Sequence, residues 1–120
     1  MSTNKPNTPQ AVQRCHDLIV WLIPQLDHFP RARRFTLGDR LESRLLDILE
    51  DLVEAAYSRQ KAGALTRANR RLEVVRHLWR IALELKTIPL KRYEYGIKLM
   101  DELGRQLGGW LKSRRDDAVD

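Results

Sequence analysis

A chain of 120 residues, 42% hydrophobic, 32% charged and only 7% aromatic, is the size of one domain and apolar enough to bury a core. That balance fits long amphipathic helices better than a β-sandwich, and the longest apolar run, Leu18 to Leu26, is interrupted by Pro24 and Gln25 and too short to span a bilayer. A net charge of +6 with a pI near 9.9 favours polyanionic partners, while a lone cysteine, Cys15, excludes an intrachain disulfide and a cysteine-based zinc site and fits a reducing, cytoplasmic setting.

Residues 1–8 are polar, contain proline and lack an apolar signal core, so a flexible N-terminal tail is expected there. The first helix should open at Thr8-Pro9, with threonine as N-cap and proline at the first helical position. It places Val12, Cys15, Ile19, Leu22, Ile23 and Leu26 on one face, and Pro24 should kink or tighten its final stretch. A second helix is expected from Leu37, started by a variant capping box of Thr36 and Asp39 and ended at Ala62 by Gly63 in a left-handed conformation. Leu41, Leu45, Ile48, Leu49, Leu52 and Ala56 form its stripe.

A third helix, 64–87, carries Ala68, Leu72, Val75, Leu78, Trp79, Ala82 and Leu85, and Ile88-Pro89 breaks it. The fourth, 90–110, carries Tyr93, Ile97, Met100, Leu103, Leu107 and Leu111. Each helix has a single apolar stripe and the connections are short, so the expected fold is an all-α, antiparallel up-down four-helix bundle over residues 9–112, followed by a second flexible tail at 113–120. Two glycines at Gly108-Gly109 cost helix stability, which fits either a close backbone approach covered by Trp110 or a helix C-terminus.

Charge divides between neighbouring helices. From Asp39 to Ser58 six acids face two bases, a sum of −4, and from Arg67 to Lys86 six bases face two acids, a sum of +4. Arg67, Arg70, Arg71, Arg76 and Arg80 could form a ridge of guanidiniums suited to phosphate, or they could pair with the acids of the second helix. A second basic cluster, Arg31, Arg33 and Arg34, lies between Phe29 and Phe35. Those rings either stack on bases beside a nucleic-acid backbone or plug the end of the bundle, leaving the three arginines facing solvent.

Chemistry is not written into the chain. Glu-x-x-His pairs for a di-iron site are missing, Glu73 and His77 lack a third ligand, and His16 and His28 stand apart. Asp47, Glu50, Asp51 and Glu54 read as a solvated or paired acidic face, and no glycine-rich phosphate loop follows a strand. Cys15 sits on the apolar face of the first helix and reads as core. No catalytic residue, cofactor or metal is expected.

The segments FPRARRFTLGDRLESRLLDILEDLVEAAY (29–57), LTRANRRLEVVRHLWRIALEL (65–85) and DELGRQLGGWLK (101–112) resemble, in that order, the accessory variability determinant family, Avd, of diversity-generating retroelements. They are similar too to the four-helix-bundle proteins encoded in 23S rRNA intervening sequences. The resemblance implies a four-helix protomer that assembles into a homopentameric barrel with a basic central passage; five copies of a +6 chain carry +30. In the retroelement branch it implies binding of the reverse transcriptase and of template RNA or cDNA, in support of mutagenic reverse transcription. Arg76 and Arg80 then match the family's helix-three basic positions and are the leading partner-binding candidates, followed by Arg67, Arg70 and Arg71. The intervening-sequence relatives share fold and assembly without a defined nucleic-acid role, so for them the same residues are structural.

Overall fold

The computed structural model describes residues 9–119 and contains only helices and turns among them. Four long helices, α1 (Gln10–Leu26), α2 (Asp39–Tyr57), α3 (Ala62–Glu84) and α4 (Leu90–Val119), make an antiparallel bundle, with a short helical corner at Arg31–Arg33 and Arg34–Gly38 leading into α2. The α2–α3 packing is the most extensive, followed by α3–α4 and α4–α1, and contacts between α1 and α2 close the ring. The core is built from the inner members of the stripes that periodicity picks out, with Leu18 joining the first, Leu49 and Leu78 only partly buried at its edge, and Leu85 turned outward: Cys15, Leu18, Leu22 and Leu26 of α1 meet Leu41, Leu45, Ile48 and Leu52 of α2. Leu72, Val75 and Trp79 of α3 and Met100, Leu103 and Leu107 of α4 complete it. Each fully buried leucine contributes about 1.5–3 kcal/mol relative to an exposed one.

Helix boundaries depart from the sequence reading where non-local contacts decide them. Pro9, in extended conformation, is the N-cap of α1, so the helix starts at Gln10; Thr8 lies outside the described residues, as does the expected tail at 1–8. Pro24 is absorbed within α1, and the tightening falls just beyond it. There the amides of Asp27, His28 and Phe29 each donate to the carbonyl three residues back, at 3.0–3.2 Å.

The capping box at Thr36 does not form. The chain is already helical from Arg31, with a wide π turn at Arg34–Gly38, so no orphan amides await a cap there. The Thr36 hydroxyl instead donates back to the carbonyls of Ala32 and Arg33 at 3.5 and 3.4 Å.

α2 ends at Tyr57, before the expected Gly63, because Ser58 turns extended (φ −95°, ψ 150°). The Lys61 ammonium then reaches back to the carbonyls of Ala55 and Ala56 at 2.6 and 3.4 Å. A cation on unpaired C-terminal carbonyls satisfies both hydrogen bonding and the helix dipole. Gly63 belongs to the first turn of α3.

α3 stops at Glu84, slightly short of Thr87. Lys86 takes the left-handed conformation (φ 62°) and the amides of Lys86 and Thr87 donate to Leu83 and Ala82 at 2.9 and 3.0 Å, a Schellman closure built on lysine. α4 runs on to Val119, past the expected boundary near 110–112: nothing after Trp110 breaks a helix, and extending one carries no nucleation cost.

Glycine placement shows how closely α3 and α4 meet. Neither Gly108 nor Gly109 has a neighbour within 4 Å of where a Cβ would stand, and both lie well inside α4, so they serve neither a close approach nor a helix end. The close approaches are at Gly96, where a Cβ would stand 2.6 Å from the Trp79 indole nitrogen, and at Gly104, 2.9 Å from the Arg76 guanidinium. Trp79 is fully buried, donates its indole N–H to the Tyr93 carbonyl at 3.0 Å, and meets Trp21 of α1 edge to face at 6.1 Å.

The glycines should therefore behave oppositely. Gly96→Ala is expected to destabilise by about 2 kcal/mol through overpacking against Trp79. Gly108→Ala and Gly109→Ala should each stabilise by about 0.5–1 kcal/mol. Chemical denaturation of the three variants checks both signs.

Candidate nucleic-acid interface

The arginines of α3 fall into three environments. Arg67 and Arg71, one turn apart on the flank toward α2, converge on Asp51, a carboxylate only 4% exposed. Arg71 Nη1 donates to both Asp51 oxygens at 2.7 and 2.6 Å, and Arg67 donates Nε to Asp51 and Nη2 to Glu54, each at 2.9 Å. A carboxylate removed from water needs such charge-assisted bonds, and planar guanidiniums supply them with fixed geometry. The hydrogen bonds to Asp51 and then Glu54 push the Arg67 pKa above its ordinary value, so this cation stays charged. Both residues thus pair within the chain with the acidic helix, and the phosphate ridge loses two of its members.

Arg76 faces the other way, toward α4. Its Nη1 pairs with Asp101 at 2.5 Å and its Nη2 donates to the Met100 carbonyl at 3.3 Å, over the bare backbone of Gly104. Its Nε lies 3.3 Å from Glu73, without hydrogen-bond alignment. Arg76 is thus a clamp between two helices with part of its guanidinium at a groove shared with Asn69 and Arg105.

Arg80 and Arg70 are the outward pair. Arg80 is 68% exposed and held only by Glu84, one turn on at 3.1 Å, a pair of the kind worth a few tenths of a kcal/mol. Arg70 is exposed and has no ion pair among the described residues. The bundle therefore separates what the sequence presents as one ridge: 67 and 71 toward α2, 76 toward α4, and 70 and 80 on the outer surface.

At the corner, Arg31 and Arg33 are exposed but Arg34 is not left to solvent. Its guanidinium sits among Asp39 at 3.2 Å, Asp27 at 3.6 Å and Glu42 at 3.7 Å, tying the corner to both adjoining helices. The two phenylalanines divide as well: Phe29 is buried as the plug, whereas Phe35 is 67% exposed, with Arg34 5.9 Å from its ring centre. Phe35 lines a shallow groove with Thr36, Arg40, Ser43 and Leu78.

α4 is a second basic helix. From Leu90 to Arg114 it carries Lys91, Arg92, Lys98, Arg105, Lys112 and Arg114 against Glu94, Asp101 and Glu102. Its signal in the sequence is the excess of bases over acids after Pro89.

Glu73, His77, His16 and His28 are all exposed, and no group of three or more His, Cys, Asp and Glu that could hold a metal ion occurs among the described residues. Burial pushes the Cys15 thiol up to about 12, which removes the thiolate needed for reaction at neutral pH. No helix among the described residues is long and apolar enough to cross a membrane.

Two outcomes follow from these environments. Asp51→Ala should cost about 2 kcal/mol by leaving two guanidiniums without their shared partner, whereas Arg80→Ala should stay within about 0.5 kcal/mol of the parent; thermal unfolding distinguishes them. Cys15 should resist a thiol reagent at pH 7.5 in the native protein and react fully once denatured, as followed by absorbance or intact mass.

No curated protein and no solved structure matches this chain. A family model, described as bAvd-like, matches residues 11–114, nearly the whole bundle including α2, its corner and the basic helices: the chain belongs to the bAvd-like family.

Proposed function

We propose that this protein is a non-catalytic accessory factor of a diversity-generating retroelement. In this reading it assembles from five copies in the cytoplasm and binds the element's reverse transcriptase and its template RNA or cDNA through a basic surface. The observation that carries the reading is family membership across residues 11–114. What supports the electrostatic part is the set of cations left outward: Arg80 on α3, Arg31 and Arg33 at the corner, and the exposed bases of α4. Arg76 contributes only the edge of its guanidinium that the clamp leaves uncovered.

The mechanism is phosphate neutralisation with counterion release, which is independent of sequence and weakens as salt rises. A single chain offers few such contacts; a ring of identical chains repeats each one and raises the local concentration of the rest. Phe35 beside Arg31 and Arg33 adds a ring to that surface at each corner.

A second reading, a self-assembling structural protein without a nucleic-acid role, is favoured by the intrachain pairing of Arg67, Arg71 and Arg76. Co-purification with the candidate reverse transcriptase and its template RNA, read by native mass spectrometry, separates the two. The accessory reading expects a stoichiometric complex, RNA affinity that falls at least about tenfold between 50 and 200 mM salt, and a several-fold weaker affinity in Arg80→Ala with circular dichroism unchanged. Absence of binding at low salt, or binding indifferent to salt, would favour the structural reading.

A further inference from the structure

Two apolar rows lie along the outer edge of the core, one on α2 and one on α3. Leu46, Leu49, Val53 and Tyr57 recur at spacings of three and four along α2, and Val74, Leu78, Ile81 and Leu85 recur at four, three and four along α3. Leu46, Val53, Val74, Ile81 and Leu85 each leave between 40% and 46% of their surface exposed, although they stand on two of the best-packed helices. An isolated exposed leucine needs no explanation, but a row at heptad spacing is the seam along which helices pack.

The two rows face different ways. On α3 the row continues from Arg67 and Arg71, which reach Asp51, so it borders the α2 side; Leu78 shares a groove with Thr36 and Ser43 there. On α2, at about 100° per residue, Leu46, Leu49 and Val53 are turned well away from Asp51, onto the side that borders α1. No single partner helix within the chain could cover both.

Their borders carry opposite charge. Glu42 and Glu50 stand one turn either side of Leu46, and Glu50 has no ion pair among the described residues. Arg70 stands one turn before Val74, exposed and likewise without an ion pair among the described residues. Either row set against itself across a two-fold axis would oppose like charges; set against the other row, acid meets base and apolar seam meets apolar seam.

We infer that the α2 row of one copy docks on the α3 row of the next, a head-to-tail contact between unlike faces of identical chains. This rests on the oligomeric part of the function proposed above and adds which faces meet. Such heterologous contacts repeat until the rotation closes a ring. The seam is apolar at its centre, so salt leaves it standing, and Arg70 becomes an interface residue rather than a nucleic-acid contact. Arg80, on the opposite flank of α3, is left outside the seam.

The test uses the full chain and two variants, Val53→Glu in the first row and Ile81→Glu in the second, with native mass spectrometry as readout. The wild type is expected to be oligomeric at low and high salt, and each variant monomeric with unchanged circular dichroism. An equimolar mixture of the two variants should give a 1:1 heterodimer, because each retains the row the other has lost. Should either glutamate disturb the helix signal, Val53→Ser and Ile81→Ser replace them. A variant that keeps the wild-type mass, or two monomeric variants that fail to pair, overturns the head-to-tail contact while leaving the oligomer itself intact. A monomeric wild type overturns the oligomeric reading beneath it as well.

Discussion

The carboxylate of Asp51 is the one buried charge among the described residues, and much of the arrangement of this bundle follows from what it requires. An ionised carboxyl in a core of leucines is tolerated only with charged, hydrogen-bonded partners. Arg67 and Arg71 meet that need across the α2–α3 boundary, and in doing so they fix which side of α3 faces α2. With that side set, Trp79 falls beneath Gly96 and Arg76 over Gly104, so the approach of α4 follows from the same orientation. The basic helix is thereby turned partly inward, and its charge is not a measure of its binding surface.

The helices were legible because their signal is local. Stripes such as Leu41, Leu45, Ile48 and Leu52, or Leu72, Val75 and Trp79, need only the period of the helix to be seen, and Ile88-Pro89 marks a break by its own stereochemistry. What escaped the sequence depends on residues brought together by the fold. Thr36 has the local sequence of a cap, but the helical corner before it, held by Arg34 and acids on either side, leaves it nothing to cap. Gly63 looked like a stop because nothing local announces that Lys61 would close α2 from beyond its end. Gly108-Gly109 drew notice by adjacency, whereas Gly96 and Gly104, the glycines under real steric demand, are single and inconspicuous.

The candidate site was legible only as an inventory. Arg67, Arg70, Arg71, Arg76 and Arg80 are all where the sequence puts them along α3, yet they point to three different surroundings. One signal went unread: Asp51 lies three residues after Ile48 and four before Ala55, inside the apolar stripe of α2, and an acid there demands a cation from the facing helix. The split of Phe29 from Phe35 had no comparable signal, since either ring satisfies a plug and only the geometry of the π turn decides which one is turned out.

The division of arginines into those engaged inside the bundle and those presented outside it is the claim on which the functional account stands. Arginine modification by phenylglyoxal, resolved residue by residue by mass spectrometry with and without single-stranded RNA, tests it most directly. The account predicts slow modification of Arg34, Arg71 and Arg76 in the free protein, fast modification of Arg80, Arg31 and Arg33, and protection of Arg80 by RNA. Modification of Arg71 and Arg76 as fast as Arg80, or RNA protection confined to Arg71, would contradict it.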